Sequence, residues 1–390
     1  MPILNRIADY AEDMKLWRRQ LHKHPELSYD CHETSAFVIN KLKEFGVDQV
    51  HEGIAKTGVI AIIKGQGTGN GTTLGLRADM DALPIQETSD LDYASVYDGK
   101  MHACGHDGHT AMLLGATRYL AETRNFSGYV ALIFQPAEES GGGAQMMVNE
   151  GIMDRFGITE VYALHNTTDA DVGHFYTMPG AIMAAVDEFK IKVKGRSGHA
   201  AYPQDTVDPL VATLGIATAI QTIISRNHDP RKDAVCSITQ FHAGTTHNVI
   251  AETAFISGTI RTFDKEDRTM ILRRLQEIAE GQALAYNCKT EVMLVEGYPA
   301  TVNNLEKTKF AVEVAKEIAG EAAVNGNTGL QLGAEDFSYM LEARPGTYLF
   351  LGQGEGPGLH TTNYDFNDEI LPYGASFFAR IVEKAQPVVV

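Results

Sequence analysis

Residues 129–139 read Tyr129-Val130-Ala131-Leu132-Ile133-Phe134-Gln135-Pro136-Ala137-Glu138-Glu139. A short apolar run rich in β-branched and aromatic side chains reads as a strand, and the proline and polar residues after it end that strand. The stretch His109–Glu122 before it has helical periodicity, and Thr73–Leu76 before that is another short apolar run. On either side, Val59–Ile63, Val161–Leu164 and Thr347–Leu351 read as further strands, while 6–23, 31–45 and Leu305–Ala319 read as helices. Strands alternating with helices predict an α/β fold on a mainly parallel sheet.

The middle of the chain has a different rhythm. Asp187–Val193 reads as a strand, Pro209–Ser225 as a helix, Ala234–His242 and Ala254–Arg261 as strands, Lys265–Tyr286 as a helix and Thr290–Glu296 as a strand. That order, β-α-β-β-α-β, is ferredoxin-like. Because α/β features resume near residue 303, the expectation is a smaller domain at 187–297 inserted into a larger one formed by 1–186 and 298–390. A length of 390 residues is enough for two cores.

Composition narrows the function. With 44% hydrophobic and 21% charged residues the chain is an ordinary globular protein. A net charge of −17 with no basic stripe argues against nucleic acid as a partner. No segment is read as approaching the roughly 18 apolar residues of a membrane helix, so no membrane is expected. Residues Met1–Leu16 have no uninterrupted apolar core and include Asp9, Glu12 and Asp13, unlike a signal peptide. Cys31, Cys104, Cys236 and Cys288 are scattered without a CxxC pair, which suits a reducing compartment and makes cytoplasm the expected location. The run Gly65-Gln66-Gly67-Thr68-Gly69-Asn70-Gly71 lacks the third fingerprint glycine and a following helix, so it reads as a hairpin turn and not a phosphate loop.

The strand exits are more telling. Arg77-Ala78-Asp79-Met80-Asp81 comes after the strand at 73, Glu138-Glu139 after the strand at 129 and His165 after the strand at 161, and a glycine-rich loop leads from the strand at 347 to His360. His102-Ala103-Cys104-Gly105-His106-Asp107-Gly108-His109 opens a helix. Open α/β sheets bind ligands outside the carboxyl ends of their strands. Taken singly, His165 is a rim histidine, the glutamate pair a solvated loop and the His-Cys-His run a set of capping groups. Taken together they deliver imidazole, thiolate and carboxylate to one edge, where a thiolate can bridge two cations and imidazoles complete their coordination. One of two adjacent carboxylates can then ligate while the other stays free as a base.

These segments together resemble peptidase family M20, in its amidohydrolase branch of hippurate hydrolases, N-acyl amino acid amidohydrolases and plant auxin-conjugate hydrolases. The resemblance also covers Arg18-Arg19-Gln20-Leu21-His22-Lys23-His24-Pro25-Glu26, Gly195-Arg196-Ser197-Gly198-His199, Gly258-Thr259-Ile260-Arg261-Thr262-Phe263 and Gly333-Ala334-Glu335-Asp336-Phe337. It implies a catalytic domain carrying an inserted lid or dimerisation domain. It implies two divalent cations (zinc, manganese, nickel or cobalt) bridged by Cys104 and ligated by His106, Glu139, His165 and His360. Glu138 then matches the general acid/base, Asp81 a carboxylate supporting the site, and His199 a lid residue stabilising the oxyanion, often across a dimer. Arg261 and Asn248 match residues that bind the substrate carboxylate, a task suited to a guanidinium fork. From spacing alone, His199 and Asn248 are turn residues and Arg261 a strand-edge charge.

The chain departs from the branch at two places. Asn166-Thr167-Thr168-Asp169 stands where a Trp-Pro-like segment is common after His165, and Thr361-Thr362 replaces Ser-Pro after His360. The expected function is metal-dependent hydrolysis of an N-acyl amino acid by a homodimer or higher homo-oligomer. The alternatives are a dipeptidase or carboxypeptidase, a cysteine hydrolase using Cys104 with His106 or His109, and a metal-storing or ligand-binding protein.

Overall fold

The computed structural model describes residues 3–67 and 71–388. Of the glycine-rich turn, Thr68, Gly69 and Asn70 lie outside the described residues. The chain forms two compact units, the first Met1–Ile182, Val302–Gly329 and Asp336–Val390, the second Met183–Thr301 with Leu330–Glu335.

The first unit is built on an eight-stranded mixed sheet. Its centre is parallel: Tyr129–Gln135, Thr73–Asp79, Ile158–Thr167 and Gly346–Gly352 lie side by side in that order. Every residue of Thr73–Asp79 is buried, as a strand covered on both faces must be. Gly58–Lys64 and Gln49–Ile54 extend one side in antiparallel fashion. Gln49–Ile54 was not foreseen, because a strand at the sheet edge keeps polar residues and shows no apolar run. The helix His106–Thr123 packs on Leu371–Ala385 and Ala11–Lys23. Leu113, Leu120, Phe378 and Ile381 from these helices join Leu74, Leu132 and Phe134 from the sheet in one core. Truncating one such leucine to alanine costs about 2–5 kcal/mol.

The second unit pairs four strands in the order Ala234–Ala243, Thr253–Thr262, Ala185–Lys194, Lys289–Glu296, every neighbour antiparallel. Burial alternates along Ala185–Lys194 and Thr253–Thr262, so one face meets the helices Pro209–Thr222 and Lys265–Ala285. Asp208 and Asp264 cap those helices by accepting from two backbone N–H groups each, a stabilisation of about 1 kcal/mol per cap. The unit reaches past 187–297 because Ala184 N–H donates to the carbonyls of Gln331 (3.0 Å) and Gly333 (3.1 Å). One sequence expectation is corrected here. Pro209–Asn227 has a mean hydropathy of 1.2 and is long and apolar enough to cross a membrane by length and composition. Ala212, Ile216, Ile220 and Ile223 on that stretch are buried in the unit's own core, while Leu210, Val211 and Leu214 are exposed.

Candidate metal centre

Each donor of the first unit is placed by a strand exit or a tight turn. After Tyr129–Gln135, Ala137 takes a left-handed backbone (φ 58°), a strained conformation for a residue with a side chain. Gly143 N–H closes this loop on Ala137 O at 3.0 Å, and a Cβ at Gly143 would lie 1.7 Å from Pro136 O. The turn leaves the N–H groups of Glu138 and Glu139 pointing at one carboxylate. Asp81, at the exit of the neighbouring strand, accepts them at 2.9 and 3.2 Å. His106 Nδ1 lies 2.8 Å from the backbone carbonyl of the same Asp81, so it donates there and leaves Nε2 with a free lone pair.

The donors converge on a sulfur. Cys104 Sγ lies 3.4 Å from His165 Nε2 and 3.3 Å from His360 Nε2. His360 Nε2 is 3.4 Å from Glu139 Oε1, and His106 Nε2 is 3.9 Å from that oxygen and 4.0 Å from Glu138 Oε2. Two ligands on one tetrahedral zinc, at about 2.3 Å for sulfur and 2.0–2.1 Å for nitrogen, stand roughly 3.6 Å apart, so the spacing fits a shared cation. His165 Nδ1 donates to Asn166 O at 2.7 Å, which turns its Nε2 to the sulfur in ligand form. Among the described residues, His106 Nε2 and Glu139 Oε1 are buried without a hydrogen-bond partner. Orphaned polar atoms of that kind are what a ligated ion would satisfy. Cys104 with His106 and His165, Cys104 with Glu139 and His360, and His106 with both glutamates form three ligand groups that share members.

The electrostatics agree. Burial, followed by the charges of Glu139, Glu138 and Asp79, pushes the Cys104 thiol well above its ordinary range. Such a thiol is a poor nucleophile without a cation beside it, which counts against the cysteine-hydrolase reading. Burial raises the Asp81 carboxyl, although His106 and the Glu138 N–H favour its charge. For His106 burial opposes the charge, yet Asp79, Asp81 and Glu139 raise it to about 10, so a cation at Nε2 takes the place of a proton there. His165 is held well below its ordinary value by burial and by His109, as befits a neutral ligand.

Reading the sequence missed a supporting layer. Asp79 is bound by Arg77 at 2.6 Å and His109 Nδ1 at 2.6 Å. Burial works against its charge, but Arg77, His106 and His109 hold its carboxyl well below the usual range. Arg77 also reaches Gln135 (2.8 Å) and Asp336 (3.1 Å), tying the ends of adjacent strands together. The period-two spacing of Arg77, Asp79 and Asp81 was the available signal, since alternate strand residues share a face.

His199, Asn248 and Arg261 belong to the second unit. His199 is exposed, on a two-residue strand paired with Val249–Ile250, and Ala200 N–H donates to Asn248 O at 3.0 Å. Asn248, also exposed, accepts from Thr246 Oγ1 through its side chain at 3.1 Å. Arg261 is half-buried and donates to Leu332 O (3.1 Å) and Ile260 O (3.0 Å).

A buried cysteine sulfur, imidazoles and paired carboxylates gathered at the strand ends of an α/β sheet define a divalent-metal-binding hydrolase. The chain belongs to peptidase family M20/M25/M40, whose match covers residues 75–384. It is 40% identical to a hippurate hydrolase of Campylobacter jejuni over 98% of this chain and 99% of the relative. It is 39% identical to thermostable carboxypeptidase 1 of Saccharolobus solfataricus, covering 98% and 99%. An N-acetyl-L-cysteine deacetylase of Bacillus subtilis is 40% identical, covering 93% and 85%. The crystal structure of the Bacillus subtilis YXEP protein, described as a dinuclear metal binding peptidase of this family, superposes with a TM-score of 0.85. Its identity is 33%, covering 98% of this chain and all of that one.

Proposed function

We propose that this metal-dependent amidohydrolase cleaves the amide bond of N-acyl amino acids. The carrying observation is the Glu138–Glu139 turn. Asp81 fixes both backbone N–H groups, Glu139 faces His360 and His106 among the ligand donors, and Glu138 stands beside them. In this reading Cys104, His106, Glu139, His165 and His360 hold two divalent cations, drawn from zinc, manganese, nickel or cobalt. When bound, such a pair polarises the scissile carbonyl and acidifies water. Glu138 takes the proton of the attacking water and passes it to the departing nitrogen as the C–N bond breaks, giving a carboxylic acid and a free amino acid. Asp81 holds the glutamate turn in register.

The second unit serves as lid and dimerisation domain, with His199 stabilising the oxyanion and Arg261 and Asn248 binding the substrate carboxylate. The hippurate hydrolase and deacetylase relatives support the substrate class. A homodimer is supported by Leu210, Val211 and Leu214, exposed on the helix Pro209–Thr222 beside the outermost strand Ala234–Ala243. Four unpaired cysteines support a reducing, cytoplasmic setting.

The carboxypeptidase relative favours a second reading, in which the amide cut is a peptide bond. A hydrolysis screen over N-acyl amino acids and dipeptides, each with zinc, manganese, cobalt and nickel, separates the two. Faster turnover of N-acyl amino acids is the expected result, and turnover confined to peptides would reject it.

A further inference from the structure

Asn166, the residue after His165 on the strand Ile158–Thr167, is buried completely in the first unit. Its backbone carbonyl accepts from His165 Nδ1 at 2.7 Å. Its side-chain oxygen faces His109 Nε2 at 2.8 Å, and its Nδ2 donates to Gln353 Oε1 at 2.9 Å and to Tyr364 Oη at 2.8 Å. Gln353 in turn donates from Nε2 to Asp365 O at 3.1 Å, and its own carbonyl accepts from Asn367 Nδ2 at 2.8 Å. Tyr364 and Gln353 are buried as well.

Asp365 O sets the polarity of the Gln353–Asn166 amide pair, while His109 Nε2 is approached by both Asn166 Oδ1 (2.8 Å) and the Asn166 backbone N–H (3.2 Å). Because Gln353 Nε2 faces a carbonyl, its Oε1 faces Asn166, and Asn166 must offer its amide N–H there. Asn166 Oδ1 is thereby turned to His109 and to the Cys104-Gly105-His106 turn. It fills the space beside Gly105, where a Cβ would come within 2.3 Å of that oxygen and 2.8 Å of Tyr364 Oη. Gly105 itself holds a left-handed backbone (φ 98°) between two proposed ligands. On the far side, the segment anchored by Gln353 begins just before the loop to His360, whose N–H is fixed to Ala103 O at 2.7 Å. His165, the residue before Asn166, and His360, in the loop after Gln353, approach the same sulfur at 3.4 and 3.3 Å.

We infer that Asn166 and Gln353 form an amide relay that positions His165 and His360 together on Cys104. Both residues act through the imidazoles and are positioning residues. The inference rests on the reading of Cys104, His165 and His360 as ligands. Outer partners of metal ligands change metal affinity by about 10–100-fold when removed, and two members of one relay act non-additively.

The test measures zinc affinity by competition with a chromophoric chelator for wild type, Asn166→Leu, Gln353→Leu and the double variant. Visible spectra of the cobalt-loaded proteins and thermal melts accompany it. Each single variant is expected to bind zinc about 10–100-fold more weakly and to show an altered cobalt–thiolate spectrum. The double variant is expected to lose no more than the weaker-binding single. Asn303→Ala, which removes a buried amide bonded to Met178 O and Tyr348 O, is expected to lower the melting temperature and leave the cobalt spectrum unchanged. Should Asn166→Leu fail to fold, Asn166→Asp keeps the shape and removes the donor to Gln353, with the same loss expected. Wild-type affinity and spectrum in the Asn166 variants, or losses that simply add in the double variant, overturn the relay. A wild type that binds no zinc overturns the ligand reading itself, a result distinct from either.

Discussion

Asp81→Asn isolates the hinge of the proposed site with a change of a single group. In the native protein the two carboxylate oxygens accept the N–H groups of Glu138 (2.9 Å) and Glu139 (3.2 Å), while the backbone carbonyl receives His106 Nδ1. An asparagine has one oxygen to offer, so one amide N–H must face the new NH2 group. Losing a hydrogen bond to a charged acceptor in a buried site costs about 1.5–3 kcal/mol. Burial raises the Asp81 carboxyl, so removing its charge returns part of the desolvation cost and places the effect near the lower end of that range. At about 1.4 kcal/mol per tenfold, the loss of metal affinity is roughly tenfold or somewhat more. Chelator competition gives the affinity, and kcat measured at saturating metal shows whether Glu138 has also moved. Affinity and kcat both within twofold of wild type, in a protein that melts normally, would refute the idea that Asp81 aims the glutamate turn.

Three further outcomes test the assigned roles. Glu138→Gln keeps shape and metal content while lowering kcat by at least the roughly 10²–10⁴-fold typical of a general acid/base; more than a tenth of wild-type activity removes Glu138 from that role. Arg261→Ala erases the preference for an N-acyl amino acid over its C-terminal amide, whereas equal losses on the two substrates would mean that Arg261 does not hold the carboxylate. Mixing Glu138→Gln with His199→Ala protein restores activity in heterodimers if His199 serves the partner's site, and no recovery after demonstrated subunit exchange assigns it to its own chain or to structure.

Much of this architecture could be read from the chain because its signals are local. A run such as Tyr129–Phe134 can hardly be anything but a buried strand, and carboxylates just past its end must emerge at the sheet's edge. Convergence was another matter. That Cys104 lies within 3.4 Å of both His165 and His360 depends on residues 61 and 256 positions away, a separation that no periodicity encodes. The supporting layer was hidden for the same reason. Arg77, Asp79 and Asp336 have the look of surface charges until the parallel pairing closes over them, and Asn166 reads as a loop residue although it is fully buried. In the sequence, Pro372 and Gly374 disguise the opening turn of the C-terminal helix Leu371–Ala385. Proline is tolerated there, where no helical N–H is lost.

The most direct measurement is a titration of metal-stripped protein with manganese, following hydrolysis of an N-acetyl amino acid against equivalents of metal bound. The site predicts no turnover in the stripped protein and activity that rises until two equivalents are bound. In Cys104→Ala, which removes the sulfur shared by two ligand groups, the curve should stay flat. Full turnover by the stripped protein, or an unaltered titration in Cys104→Ala, would contradict a two-metal centre built on Cys104.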